Sequence, residues 1–155
     1  MTAPGRSIRR AALPVALVVL GILAPAMLPA QSAAERSLAR ATAAAAEHWA
    51  AGNVSGLGTF APRDGRVTVE LGDASGAVQW RHASAALRSL FGERETASVE
   101  VVDAAVTEGD PGWAFGQLSW TSRVRGTREA QQHTVFIGFA WEGGAWRIRE
   151  IRLLR

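Results

Sequence analysis

The strongest constraint on this chain lies near its end, in "FAWEGGAWRIREI", Phe139–Ile151. Gly143 and Gly144 separate two runs in which large apolar residues recur at every second position. Two glycines suit a two-residue hairpin turn, because both central positions need positive φ. Closing the chain there pairs Glu142 with Ala145, Trp141 with Trp146 and Phe139 with Ile148. Side chains alternate faces along a strand, so Phe139, Trp141, Trp146 and Ile148 share one face. Fully burying each is worth about 1.5–3 kcal/mol, which is enough to fix the register. That face is a core face.

The hairpin leaves Glu150 open. Strict alternation carries it onto the core face opposite Ile137, where a buried carboxylate with a raised pKa is a candidate general acid or base. A bulge near Arg149 would instead flip the phase, sending Ile151 and Leu153 inward and Glu150 to solvent. The cost of burying an unpaired charge favours the bulge.

Upstream, the pattern gives helices first and strands afterwards. Ser32–Asn53 is alanine-rich, with Leu38, Ala41, Ala45 and Trp49 at helical spacing and Gly52 as a stop. Asn53 is a natural cap for a short second helix in "NVSGLGTFAP". Arg66–Leu71 alternates as a half-buried strand. "GDASGA" then turns the chain and Val78–Trp80 continues extended. Ala83–Glu93 predicts a third helix, apolar at Leu87, Leu90 and Phe91. Ser98–Thr107, Trp113–Arg125, His133–Trp141 and the closing strand are joined by short loops, one of them the turn signal "EGDPG". Strands in meander order with helices collected on one side make a single α+β domain of antiparallel sheet.

Residues 1–30 stand apart from that domain. Arg6, Arg9 and Arg10 precede an uncharged apolar run, Ala11–Leu23, and "APA" and "LPA" offer cleavage sites, so residues 1–30 are expected to be a signal peptide. An uncleaved anchor is the alternative, which Pro14, Pro25 and Pro29 disfavour. The expected location is periplasmic or secreted. The net charge of +3 comes from the three leader arginines, since all 14 acids lie beyond residue 30. A neutral domain lacks the electrostatic footprint of a nucleic-acid binder. There is no cysteine, which excludes thiolate metal sites, disulfides and cysteine nucleophiles. No histidine pair has metal-ligand spacing, and no cofactor motif appears.

"AAEHWAAGNVSGLGTFAP", "GAVQWRHASAALRSLF" and "GGAWRIREIRLL" resemble the opening helices, third helix and final strand of the nuclear transport factor 2-like (SnoaL-like) superfamily. The likeness spans nearly all of residues 35–154 and runs closest to small exported bacterial families without an assigned activity. It implies a cone, a curved sheet wrapped around three helices with a cavity at its open end. That cavity is an active site in SnoaL-like cyclases, ketosteroid isomerases and scytalone dehydratase, and a binding or dimerisation surface elsewhere.

The candidate catalytic residues are therefore Asp103, His133 and Glu150. Asp103 interrupts the apolar "EVVDAAV", and His133 is expected to lie across from Trp120, where an imidazole exchanges protons near neutral pH. The superfamily's enzymes commonly add tyrosines, and this chain has none. Trp80, Trp113 and Trp120 are candidate walls for an apolar ligand, with Gln117 as a polar contact. The arrangement points to a binding domain for a small hydrophobic molecule, or to a homodimer formed through the sheet. An isomerase, dehydratase or cyclase is the runner-up, and a membrane-anchored assembly component is the third reading. Fold does not choose among them.

Overall fold

Ser32 sets the start of the fold. Its Oγ accepts the Glu35 N–H at 3.1 Å while its own N–H donates to Glu35 Oε2 at 2.6 Å, a reciprocal cap on helix α1, Ala33–Ala50. The computed structural model describes residues 32–107 and 112–155. The leader and most of the "EGDPG" turn lie outside the described residues. Leu38, Thr42, Ala45 and Trp49 form the buried stripe of α1, with Ala41 at its margin. The helix ends as the glycine predicts, with Gly52 at φ +60°. Asn53 then caps α2, Val54–Leu57, by accepting the Gly56 N–H at 2.9 Å, and a 3-10 turn, Gly58–Phe60, follows.

Six strands form one sheet in the order β2-β1-β6-β5-β4-β3. They are β1 Arg66–Leu71, β2 Ala74–Gln79, β3 Arg94–Val106, β4 Trp113–Val124, β5 Ala130–Glu142 and β6 Ala145–Leu154. The sheet is mixed rather than antiparallel throughout. β3 to β6 form the predicted meander, but β1 lies parallel to β6, pairing Val69 with Ile151. No local signal announces that pairing, because α3 and four further strands separate the two segments. The sheet is open, with β2 and β3 at its edges, and is not strongly curled into a cone.

Three boundaries move. The turn after β1 needs only Gly72 and Asp73, so β2 begins at Ala74. Trp80 does not continue the strand. Its N–H donates to Gly65 O at 2.6 Å, and it opens helix α3, Trp80–Glu93. The helix ends at Glu93 as expected, but β3 follows directly at Arg94, earlier than the alternation suggests.

The closing hairpin forms as its glycines require. Gly143 and Gly144 have φ of +57° and +86°, Trp141 pairs with Trp146, and Phe139 pairs with Ile148. The two indoles meet edge to face at 5.1 Å. Beyond Ile148 the register shifts by one, so that Ile151 pairs with Ile137 and Glu150 with Gly138. Arg149 is the extra residue of this bulge, and its guanidinium bridges Glu142 at 2.6 Å and Asp64 at 2.8 Å. The bulge thus turns Ile151 into the core and Glu150 out of it.

Helices α1 and α3 cover the inner face of the sheet. α1 comes close to β4 at Gly116, where any Cβ would collide with the Thr42 side chain. Trp49 from α1 meets Trp120 of β4 edge-on at 5.6 Å and Phe91 of α3 at 5.1 Å, which locks the layers together.

Candidate functional site

The structure divides the three candidate catalytic residues between the two faces of the sheet. Along β4, Ala114, Gly116, Leu118, Trp120 and Ser122 face the helices. His133 pairs with Trp120, as the sequence suggests, and is 5% exposed on that inner face rather than at a solvated strand end. Asp103 follows a bulge in β3, pairs with Gln117 on the outer face, and is exposed. Its Oδ1 accepts the N–H of Ala104 at 2.8 Å. Glu150 lies on the outer face against Gly138, paired with Arg152 at 3.1 Å. The thickness of the sheet separates the imidazole from both carboxylates, so no Asp103–His133 or Glu150–His133 dyad exists. An acid and a base must reach the same substrate atoms within hydrogen-bond range, and these do not.

The candidate ligand contacts divide in the same way. Trp120 is fully buried among Trp49, Phe91 and His133 and donates its indole N–H to Thr96 Oγ1 at 3.0 Å, so it is core rather than cavity wall. Trp80 packs against the core at the start of α3. Trp113, 48% exposed, and Gln117 lie on the outer face. Among the described residues, the two faces of the sheet keep these four apart.

A cavity of about 440 Å³ does open at the other end of the inner face. α3 gives it Leu90 and Glu93, the β1–β2 hairpin gives Leu71 and Asp73, and the sheet gives Arg94, His133 and Leu153, with Arg155 just beyond β6. His133 is its buried polar feature. The guanidinium of Arg94 places Nη1 3.1 Å from His133 Nε2 and holds Ser122 Oγ and Gln131 Oε1 at 3.3 Å each. Arginine only donates, so Nε2 must be the acceptor and the imidazole proton sits on Nδ1. That Nδ1 is buried and has no hydrogen-bond partner among the described residues. Burial first, then the positive charges of Arg94 and Arg155, push the His133 pKa below its ordinary value. The imidazole is neutral at neutral pH.

Sequence reasoning placed His133 across from Trp120 but did not place Arg94 beside it. With β3 begun at Ser98, Arg94 read as loop, and only its register against Val124, two pairs beyond Thr96 and Ser122, puts it beside the histidine. Arg149 is structural. Its two carboxylate partners tie the loop before β1 to the final strand, and its hydrogen bond helps the Arg66 N–H hold Asp64 below the usual carboxylate range. Among the described residues no cluster of histidines and acids could hold a metal ion.

No family model matches the chain, and no curated protein matches it in sequence. Solved structures do. A DUF4783 family protein from Bacteroides uniformis superposes with a TM-score of 0.61 at 14% identity, covering 73% of this chain and 94% of its own. A ketosteroid isomerase-like protein from Erwinia carotovora gives 0.61 at 14% identity, over 79% and 96%. A putative scytalone dehydratase from Novosphingobium aromaticivorans gives 0.58 at 13%, over 76% and 80%. Identities this low speak for architecture alone. With three helices laid on a six-stranded mixed sheet, the chain has the nuclear transport factor 2-like fold.

Proposed function

We propose that residues 31–155 are an exported, non-enzymatic domain that binds a small, largely apolar molecule in the cavity between α3 and the inner face of the sheet. One observation carries this reading. The cavity sets apolar side chains, Leu71, Leu90 and Leu153, beside an equally large polar lining that includes Arg94, His133 and Arg155, so a concave site with both characters is present. The separation of Asp103 and Glu150 from His133 speaks against acid/base chemistry there. Trp120 reports on the site, because its ring lies 5.6 Å from that of His133. A ligand in contact with His133 therefore changes tryptophan emission saturably, and Ala86→Trp, which fills the cavity from α3, abolishes the response. A panel of hydrophobic small molecules that produces no saturable change overturns the reading. Export is tested by intact mass, which for secreted protein begins after Ala26 or Ala30.

A second reading, self-association through the outer face, has its own support. Phe115 and Phe136 stack there at 5.5 Å with Arg152 over the Phe136 ring, and Trp113 stands half in solvent nearby. Phe136→Glu breaks such a dimer, and sedimentation that finds the unaltered chain monomeric at high concentration removes this reading.

A further inference from the structure

We infer that the cavity selects a ligand with an anionic head, a carboxylate or phosphate ester, held by Arg94, His133 and Arg155 with its apolar body against Leu71, Leu90 and Leu153. The inference rests on the proposed binding role of the same cavity and adds the chemical class of its occupant.

Three features point to a missing negative charge. First, Arg94 and Arg155 both line the cavity and neither forms an ion pair among the described residues. The acids that line the cavity, Glu93 and Asp73, are exposed and pair with neither arginine, and Glu93 accepts from Ser89 Oγ at 2.9 Å. Second, Arg94 is pre-positioned. Its Nη1 is engaged by Ser122, Gln131 and His133, while Nε and Nη2 make no hydrogen bond among the described residues. A guanidinium fixed in this way presents parallel donors to a planar carboxylate or a phosphate. Third, the His133 Nδ1–H is a buried donor without an acceptor, which is costly until something accepts from it. Burial, and after it the charges of Arg94 and Arg155, lower the His133 pKa.

A purely apolar ligand would leave all of these groups unpaired. A bare anion would leave Leu71, Leu90 and Leu153 against water. An amphipathic anion satisfies both walls at once.

The test titrates the purified chain with octanoate, octyl phosphate, octanamide and inorganic phosphate, following heat and tryptophan emission. Octanoate or octyl phosphate is expected to bind at least about tenfold tighter than the neutral amide, as charge-assisted hydrogen bonds would give. The tighter of the two identifies the head group. Arg155→Gln, at an exposed position outside the strands, should remove most of that advantage. Arg94→Gln should likewise remove that advantage, with its fold checked by circular dichroism. Equal binding of octanoate, octyl phosphate and octanamide overturns the anionic head while leaving the cavity reading intact. Inorganic phosphate binding as tightly as octyl phosphate overturns the amphipathic class. Silence from all four overturns the cavity reading itself.

Discussion

The two ends of β5 share one row of inward-facing residues and solve opposite problems. At the C-terminal end Phe139 is buried against Ile148, and Trp146 closes over the row with Trp141, 47% exposed, as an outer cover. Toward the N-terminal end the row finishes in His133, equally buried but surrounded by Arg94, Ser122 and Gln131. The first end is stabilised by apolar area, which any close-packed neighbour supplies. The second depends on a particular guanidinium meeting a particular imidazole nitrogen, and it keeps an open cavity beside them. The same alternation of side chains therefore builds a dry wall and a receptive one.

That contrast breaks first at the dry end. Phe139→Ala is expected to cost about 3–5 kcal/mol, because the surrounding layers cannot collapse into the space it leaves. Urea unfolding should show a lower midpoint with an unchanged slope. At the receptive end Arg94→Met keeps the length and removes the donors, leaving the buried Ser122 hydroxyl and His133 Nε2 without their guanidinium partner. The expected loss is about 1–3 kcal/mol, smaller because solvent entering the cavity can replace part of what is lost. An Arg94→Met loss equal to that of Phe139→Ala would mean that the cavity end is as dry as the hairpin end. Gly144→Ala is smaller again, about 1 kcal/mol, since open space surrounds the position but a Cβ resists φ +86°. A thermal scan that finds Gly144→Ala neutral would argue that the turn relaxes to another type.

The same two ends show what a sequence carries. The Trp141–Trp146 pair, the turn glycines, the Asn53 cap and the inward phase of Ile151 all follow from rules that act over a few residues, and each is where those rules put it. The bulge at Arg149 was legible because the alternative buries a charge. Its partners were not, since Asp64 and Glu142 reach it from separate elements. The receptive end fails for the same reason. His133 across from Trp120 follows from hairpin register, but Arg94 arrives from the junction of α3 and β3, where a helix gives way to a strand without a punctuating residue. Asp103 misled because an acid in an apolar run marks either a cavity or a bulge. Here the bulge between Val101 and Asp103 carries it to the outer face.

The smallest effect is also the most specific to the receptive end. Burial and the charges of Arg94 and Arg155 lower the His133 pKa in the folded chain, while in the unfolded chain it titrates near 6.5. Between those two values the unfolded state binds more protons than the folded state. Stability therefore rises with pH through that window, is complete above 6.5, and falls as acid protonates the unfolded imidazole first. The charged groups that border the cavity with this histidine are Arg94 from β3, Arg155 beyond β6, Glu93 at the end of α3 and Asp73 in the β1–β2 turn. The two acids are exposed and too well solvated to cancel the guanidinium pair. Comparing urea midpoints at about pH 7.5 and about pH 5.5 isolates the effect, because His133→Gln should flatten the difference while every other titrating group is retained. An identical pH dependence in the variant would assign the slope elsewhere. A slope of opposite sign would mean that a carboxylate, not a guanidinium, dominates the field at Nε2, and the receptive end would then be a site for cations.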